Sequence, residues 1–185
     1  MPTTTVRNDP ARESLAALRE DLLLLVPITI KSGFAIPRGA VGGIIAASGL
    51  GRRRTRTTAA DGGFATNSPT GQVADASLFK AGDVITNAAG AAIGTIAAGG
   101  VNLATNVLTL NANAAVAVAS GAAVLGSDGS QVAAFIADEA SDGAGDTSIP
   151  AIIGGLLAES KISGLDSTAK TELRGGGAPG GIFKF

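Results

Sequence analysis

Residues 121–173 read GAAVLGSDGSQVAAFIADEASDGAGDTSIPAIIGGLLAESKISGLDSTAKTEL, and their punctuation sets the fold class. Gly121 opens a short strand that ends in the turn Ser127-Asp128-Gly129. Val132 to Ala137 is apolar throughout and strand-sized, so it predicts a buried strand. Ala140 to Asp146 is an acidic, Gly-rich loop. Ile149 to Leu157 is a second apolar run, interrupted by Gly154-Gly155. Asp166 then caps a two-turn helix that Gly175 stops. The pattern is that of a mainly β protein closing on a short C-terminal helix.

Upstream, residues 73–126 repeat strand-sized runs at short spacing. Phe79 to Asn87 reads as a turn feeding a strand, and Ala92 to Ile96 is another strand after Gly90. Val101 and Leu103 alternate, Thr105-Asn106 turns, and Val107 to Leu110 returns as a hairpin partner. Val116 and Val118 alternate again. Such spacing predicts an inserted, small barrel-like module. Alanine favours strands poorly, so a short helix or turn near Asn111 to Ala115 is the alternative there.

The segment before it divides in two. Residues 27–72 open the β core, with Ile28 and Ile30, a Gly33 turn, and Val41, Ile44 and Ile45 after the turn Pro37-Arg38-Gly39. Residues 48–72 then contain GLGRRRTRTTAADGGFATNSPTGQ with little apolar content, which reads as a long surface loop or weak hairpin. Residues 1–26 are an arm followed by a helix. Thr3, Thr4, Thr5 and Val6 are β-branched and favour extended backbone. Asp9 is a good N-cap and Pro10 fits the first helical position. Leu15, Leu18, Leu22 and Leu25 form one helical stripe, and Pro27 ends it. The 175–185 stretch reads as a flexible Gly-rich tail ending in Phe183-Lys184-Phe185.

Composition limits the chemistry. The chain has 185 residues, 27 Gly, six Phe, one Met and neither Trp nor Tyr, and alanine supplies much of its 45% hydrophobic content. Burial returns roughly 25 cal/mol per Å² of apolar surface, so an Ala-rich core gains little per residue while many glycines raise the entropy cost. Oligomerisation or docking on a larger surface is the expected remedy. There is no His and no Cys, which removes the commonest general base, the thiol nucleophile and the preferred transition-metal ligands. Ser160-Lys161 reads as a polar loop. Asp138, Glu139, Asp142 and Asp146 cluster without calcium-loop spacing, and no phosphate-binding Gly motif occurs. No enzyme, cofactor or metal site is expected. With a net charge of −1, no global field recruits nucleic acid or membrane. The apolar run from Leu22 to Ile30 falls well short of a spanning helix. Arg52, Arg53, Arg54 and Arg56 are the densest charge. A contact with an acidic shell or subunit surface, a solvated loop and phosphate binding are the alternatives, although no aromatic residue interleaves for base stacking.

Several positions in this frame carry a resemblance. Lys31, Gly33, Arg38, Gly39, Val41 and Gly43 match K-x-G-x-x-x-x-R-G-x-V-x-G. Residues 128–139 match DGS-x-x-A-x-x-I-A-x-E, a GD-T loop follows at 145–147, and 162–173 are similar to L-x-G-L-D-x-x-A-K-x-x-L. In this order and spacing, spread over roughly half the chain, they resemble the lambda-type head decoration proteins of tailed bacteriophages. The resemblance implies a homotrimer on the outer capsid surface of the virion, assembled in the host cytoplasm and bound to the major capsid protein. It also implies attachment through the arm, with Thr3, Thr4, Thr5 and Val6 adding a strand and Leu15, Leu18 and Leu22 supplying a capsid-binding face. Arg52, Arg53, Arg54 and Arg56 are the expected interface charges. The chain departs from the compact family pattern by its 73–126 module and by the capped helix after the arm. The competing expectation is a head fibre or adhesin-like virion protein whose inserted module binds a host surface ligand. Carbohydrate sites favour aromatic platforms, and only Phe is present to build one.

Overall fold

The computed structural model describes residues 23–175 and 183–184. Two β units share the chain, one inserted in the other. The first is a six-stranded sheet built from β1 (Leu24–Ile30), β2 (Val41–Ile44), β3 (Gly51–Arg53), β10 (Phe135–Ala137), β11 (Thr147–Leu156) and β12 (Phe183–Lys184). The second is a closed barrel of β4 (Arg56–Phe64), β5 (Thr70–Val73), β6 (Val84–Asn87), β7 (Ala92–Asn102), β8 (Val107–Leu110) and β9 (Ala123–Gly126), joined in the order β4-β5-β8-β7-β6-β9. The mainly β fold with an inserted barrel and a short terminal helix, α1 (Ser167–Arg174), matches the reading of the sequence.

In the sheet unit, β1 runs antiparallel to β11 along its whole length, from Leu24↔Gly154 to Ile30↔Thr147. Its other edge meets only β3, through the parallel pair Ile30↔Gly51, so the sheet curls back on itself. Strand β2 pairs β10 through Phe135↔Gly42 and Ile136↔Val41. The core comprises Ile30, Ile36, Phe135, Ile136, Ile152 and Leu157, with Ala169 and Leu173 entering from α1. Asp166 caps that helix, its Oδ1 accepting from the Ala169 N–H at 2.6 Å. Of the tail beyond Gly175, Phe183 and Lys184 are described. Phe183 is buried in the same core and β12 pairs with β11 at Gly155↔Phe183.

The expected helix over residues 9–26 falls mainly on residues outside those described, but its last turn is corrected. Leu24, Leu25 and Val26 belong to β1. Val26, Ile28 and Ile30 face the core at a period of two, and pairing with β11 overrides the helical spacing of the leucines. Pro27 sits opposite Pro150. The Pro150 carbonyl accepts from the Asp138 N–H on the β10 side, so the Pro27–Pro150 pair is a non-hydrogen-bonded one and the β1–β11 ladder loses no bond to either proline. The Asp138 carbonyl, which faces the missing Pro150 N–H, accepts from Arg38 Nε at 2.7 Å instead.

The barrel starts at Arg56, upstream of the Val73 boundary read from the sequence. Residues 48–72, read as a long surface loop or weak hairpin, provide β3, β4 and most of β5, and the antiparallel β4–β5 pair is the hairpin of those two alternatives. In β4 the inward positions are held by little more than Ala59 and Phe64, too few apolar groups to announce a strand. Its two long strands bend at glycine pairs. The register of β4 shifts between Ala59 and Phe64, where Gly63 has φ +60 and a Cβ would lie 1.9 Å from the Val118 carbonyl oxygen. The register of β7 shifts between Ile96 and Val101, where Gly99 has φ +68. Such bulges provide the curvature that closure requires. Phe64, Phe79, Ile85, Ile93, Ile96, Leu108 and Val124 fill the interior. Residues 111–115 form bends and no helix.

Candidate functional site

The chain crosses between the two units twice, at residues 54–55 and 127–130, and the crossings are bound side by side. The buried hydroxyls of Thr55 and Ser130 lie 2.8 Å apart. The Thr55 N–H donates to the Ser130 carbonyl at 3.2 Å and the Gly126 N–H to the Thr55 carbonyl at 2.8 Å. Beside them, β3 delivers the arginines to the seam. Arg52 and Arg53 reach carboxylates of the barrel, whereas Arg54, just past the strand, reaches those of the sheet unit.

Arg52 is 1% exposed. Its Nη2 lies 3.0 Å from Asp83 Oδ2 in the barrel and donates to the Leu78 carbonyl at 2.6 Å, while Nη1 lies 3.0 Å from Asp128 Oδ2. Its guanidinium carbon lies 3.9 Å from the Phe34 ring centroid, and Lys80 Nζ lies 4.2 Å from the same centroid. This is a desolvated cation held by two carboxylates, a carbonyl and a ring face. Arg54, 5% exposed, turns to the sheet unit. It reaches Asp166 Oδ2 at 3.0 Å and Glu172 Oε2 at 2.9 Å, and donates through Nε to the Gln131 carbonyl. Arg53 pairs with Asp75 at 3.2 Å and donates to Ser77 Oγ at 3.0 Å. Arg56 Nε lies 3.6 Å from Asp166 Oδ2.

Two of the expected interface residues are therefore corrected. Arg52 and Arg54 are buried within this chain and committed to its own carboxylates, so neither is available to a partner. Arg53 and Arg56 keep partly exposed guanidiniums. Thr3, Thr4, Thr5, Val6, Leu15, Leu18 and Leu22 lie outside the described residues. The structure adds Phe34, Asp83, Asp128, Asp166 and Glu172 to the seam, residues that the sequence reading did not connect with the arginines. Ion pairing between positions 31 and 112 residues apart leaves no local signal. The Asp128-Gly-Ser turn and the Asp166 cap were nevertheless visible as motifs.

Electrostatics follow from this geometry. Burial pushes the Asp128 carboxyl up, but hydrogen bonds from Ser130 and the Arg52 charge outweigh it and hold the group below its ordinary value. Asp166 is likewise raised by burial and lowered further by the Ala169 N–H, Arg54 and Arg56. The acidic loop has structural work instead. Asp138 pairs with Arg38 at 3.4 Å, Asp146 Oδ1 accepts from the Ser32 N–H at 2.6 Å, and Asp142 Oδ1 accepts from the Ala144 N–H at 2.9 Å. Among the described residues no acidic group is arranged to hold a metal ion, and no helix is long and apolar enough to cross a membrane.

One open feature remains on the sheet unit. Apart from Ile30, the outer edge of β1 has no strand partner among the described residues, and Leu24 and Leu25 on it are 50% and 46% exposed. No family model matches the chain, and comparisons with curated proteins and with solved structures find no match.

Proposed function

We propose that this protein is a phage head decoration protein, binding the outer capsid surface as a trimer and cementing the shell through its N-terminal arm. The observation that carries the reading is the meeting of the two resembling segments across an insertion. Residues 31–43 and 128–173, distant in sequence, form one β unit. The Gly33 N–H donates to the Gly143 carbonyl, the Gly39 N–H to Ala137 and the Val41 N–H to Ser163. Gly43 is needed there because a Cβ would lie 2.1 Å from the Ser130 carbonyl oxygen. Motif positions that hold each other in one core support a common origin for that core better than a scattered match does.

The open edge of β1 supports the attachment mode. A capsid strand or an arm laid along it gains main-chain hydrogen bonds, with exposed leucines for register. A trimer gripping several capsid subunits adds avidity without new contacts. Deleting Met1 to Asn8 tests the arm. The truncated protein is expected to keep its oligomeric state and lose binding to undecorated heads. Normal decoration by that variant rules the arm out.

A further inference from the structure

Between the two units lies a cleft of about 230 Å³ lined by Arg53, Arg54, Arg56, Thr57, Asp75 and Ser163, with Ala40, Val41, Leu78 and Gly164 completing it. Its guanidiniums differ in what they already hold. Arg54 is buried and fixed by Asp166 and Glu172. Arg53 spends two nitrogens on Asp75 and Ser77. Among the described residues, Arg56 makes one ion pair of 3.6 Å through Nε, too long for a hydrogen bond. Among the described residues both of its terminal nitrogens are thus donors without partners, on a side chain 25% exposed.

Charge balance then selects the ligand. Asp75 in the lining, with Asp166 and Glu172 pairing Arg54 and Arg56 from outside it, offsets the three arginines, so the cleft offers directed N–H donors without a large positive field. A polyphosphate or nucleic acid backbone meets the Asp75 carboxylate here and arginines whose charge is already offset, so it gains no counterion-release advantage. A single carboxylate matches the planar fork of one arginine, with Thr57 and Ser163 in the same lining. We infer that this cleft is an oxyanion-accepting site in which Arg56, backed by Arg53 and Arg54, receives an acidic side chain of the protein on which the chain docks. The partner half of this inference rests on the decoration reading; the site itself does not.

The test uses the full chain. Amide spectra recorded while N-acetyl-glutamate amide is titrated in should show saturable shifts at Thr57, Ser163 and Gly164, and Arg56→Gln, folded with an unchanged melting temperature, should abolish them. Arg53→Gln should weaken them. Inorganic phosphate is the second probe, and saturation by phosphate with no response to the carboxylate overturns the assigned ligand class. Arg56→Gln should also weaken head binding about tenfold, the loss expected for one charge-assisted pair. Undiminished head binding by a variant that no longer takes the carboxylate overturns the docking role. Failure of the wild type to bind heads defeats the decoration reading instead, and the spectral result then stands alone. Identical shifts in wild type and Arg56→Gln overturn the site.

Discussion

Arg52 lies over the ring of Phe34, 3.9 Å from its centroid, while its terminal nitrogens reach Asp83 in the barrel and Asp128 at the return crossing. One buried side chain thus ties three segments that are distant in sequence. The barrel and the sheet have separate cores, built mainly of Ile, Val, Leu and Phe rather than the Ala expected from composition, so without such ties each would stand on its own small interior alone. The seam ties the inserted barrel to the sheet unit through buried polar contacts.

Replacing Arg52 with Ala leaves Asp83 and Asp128 without their shared cation and the Leu78 carbonyl without its donor. Removing one member of a buried ion pair typically costs about 3–5 kcal/mol. Chemical denaturation should show a loss of that order and two resolved transitions, one for each unit. A single transition with a loss under about 1 kcal/mol would mean that the seam is ornamental to stability.

Gly43 and Gly62 make a matched pair of tests. A Cβ at Gly43 would lie 2.1 Å from the Ser130 carbonyl oxygen, a backbone atom, whereas at Gly62 it meets open space but φ is +80. Gly43→Ala should therefore force the return crossing apart and cost more than the roughly 1–3 kcal/mol typical of overpacking. Gly62→Ala should cost about 1 kcal/mol of backbone strain. Equal losses in the two variants would contradict the tight approach of β2 to the crossing.

Acid should loosen the seam. Asp128 and Asp166 are held below their ordinary value of 3.8, so the unfolded chain takes up their protons first as pH falls. Their contribution is complete well above the unfolded value and is lost as pH falls through it toward the lower folded values. Urea midpoints should stay level between about pH 7 and 5 and drop below about pH 4. In Asp128→Asn the drop should be shallower. A midpoint that rises on acidification, or an unchanged slope in the variant, contradicts the assignment.

Phe183 is 2% exposed and packs in the sheet core. Phe183→Ala should destabilise that unit by about 3 kcal/mol, the usual cost of emptying a buried aromatic site. Measured by denaturation, a loss below about 0.5 kcal/mol would mean that the C-terminal strand holds nothing in place.

Legibility followed the size and spacing of side chains. The strands at Phe135–Ala137 and Thr147–Leu156 and the helix capped by Asp166 could be read directly, because continuous apolar runs and a capping carboxylate are local signals. Strand β4 could not, because Ala59 and Phe64 alone mark its inner face and the bend at Gly62-Gly63 interrupts its alternation. The leucines at 22 and 25 suit a helix, yet Leu25 is in a strand because Val26, Ile28 and Ile30 also alternate and β11 offers a full-length partner. The arginines were visible as a cluster, but their roles were not. Whether a guanidinium is buried depends on carboxylates that only the folded chain brings near, and Arg52 and Arg54 found theirs within the molecule.

The decisive measurement is a titration of the purified full chain onto undecorated phage heads, with bound protein counted after sedimentation. Saturable binding at a trimer-related stoichiometry, by a protein that sediments as a trimer when free, is the predicted result. A stable monomer that leaves the heads bare would contradict it.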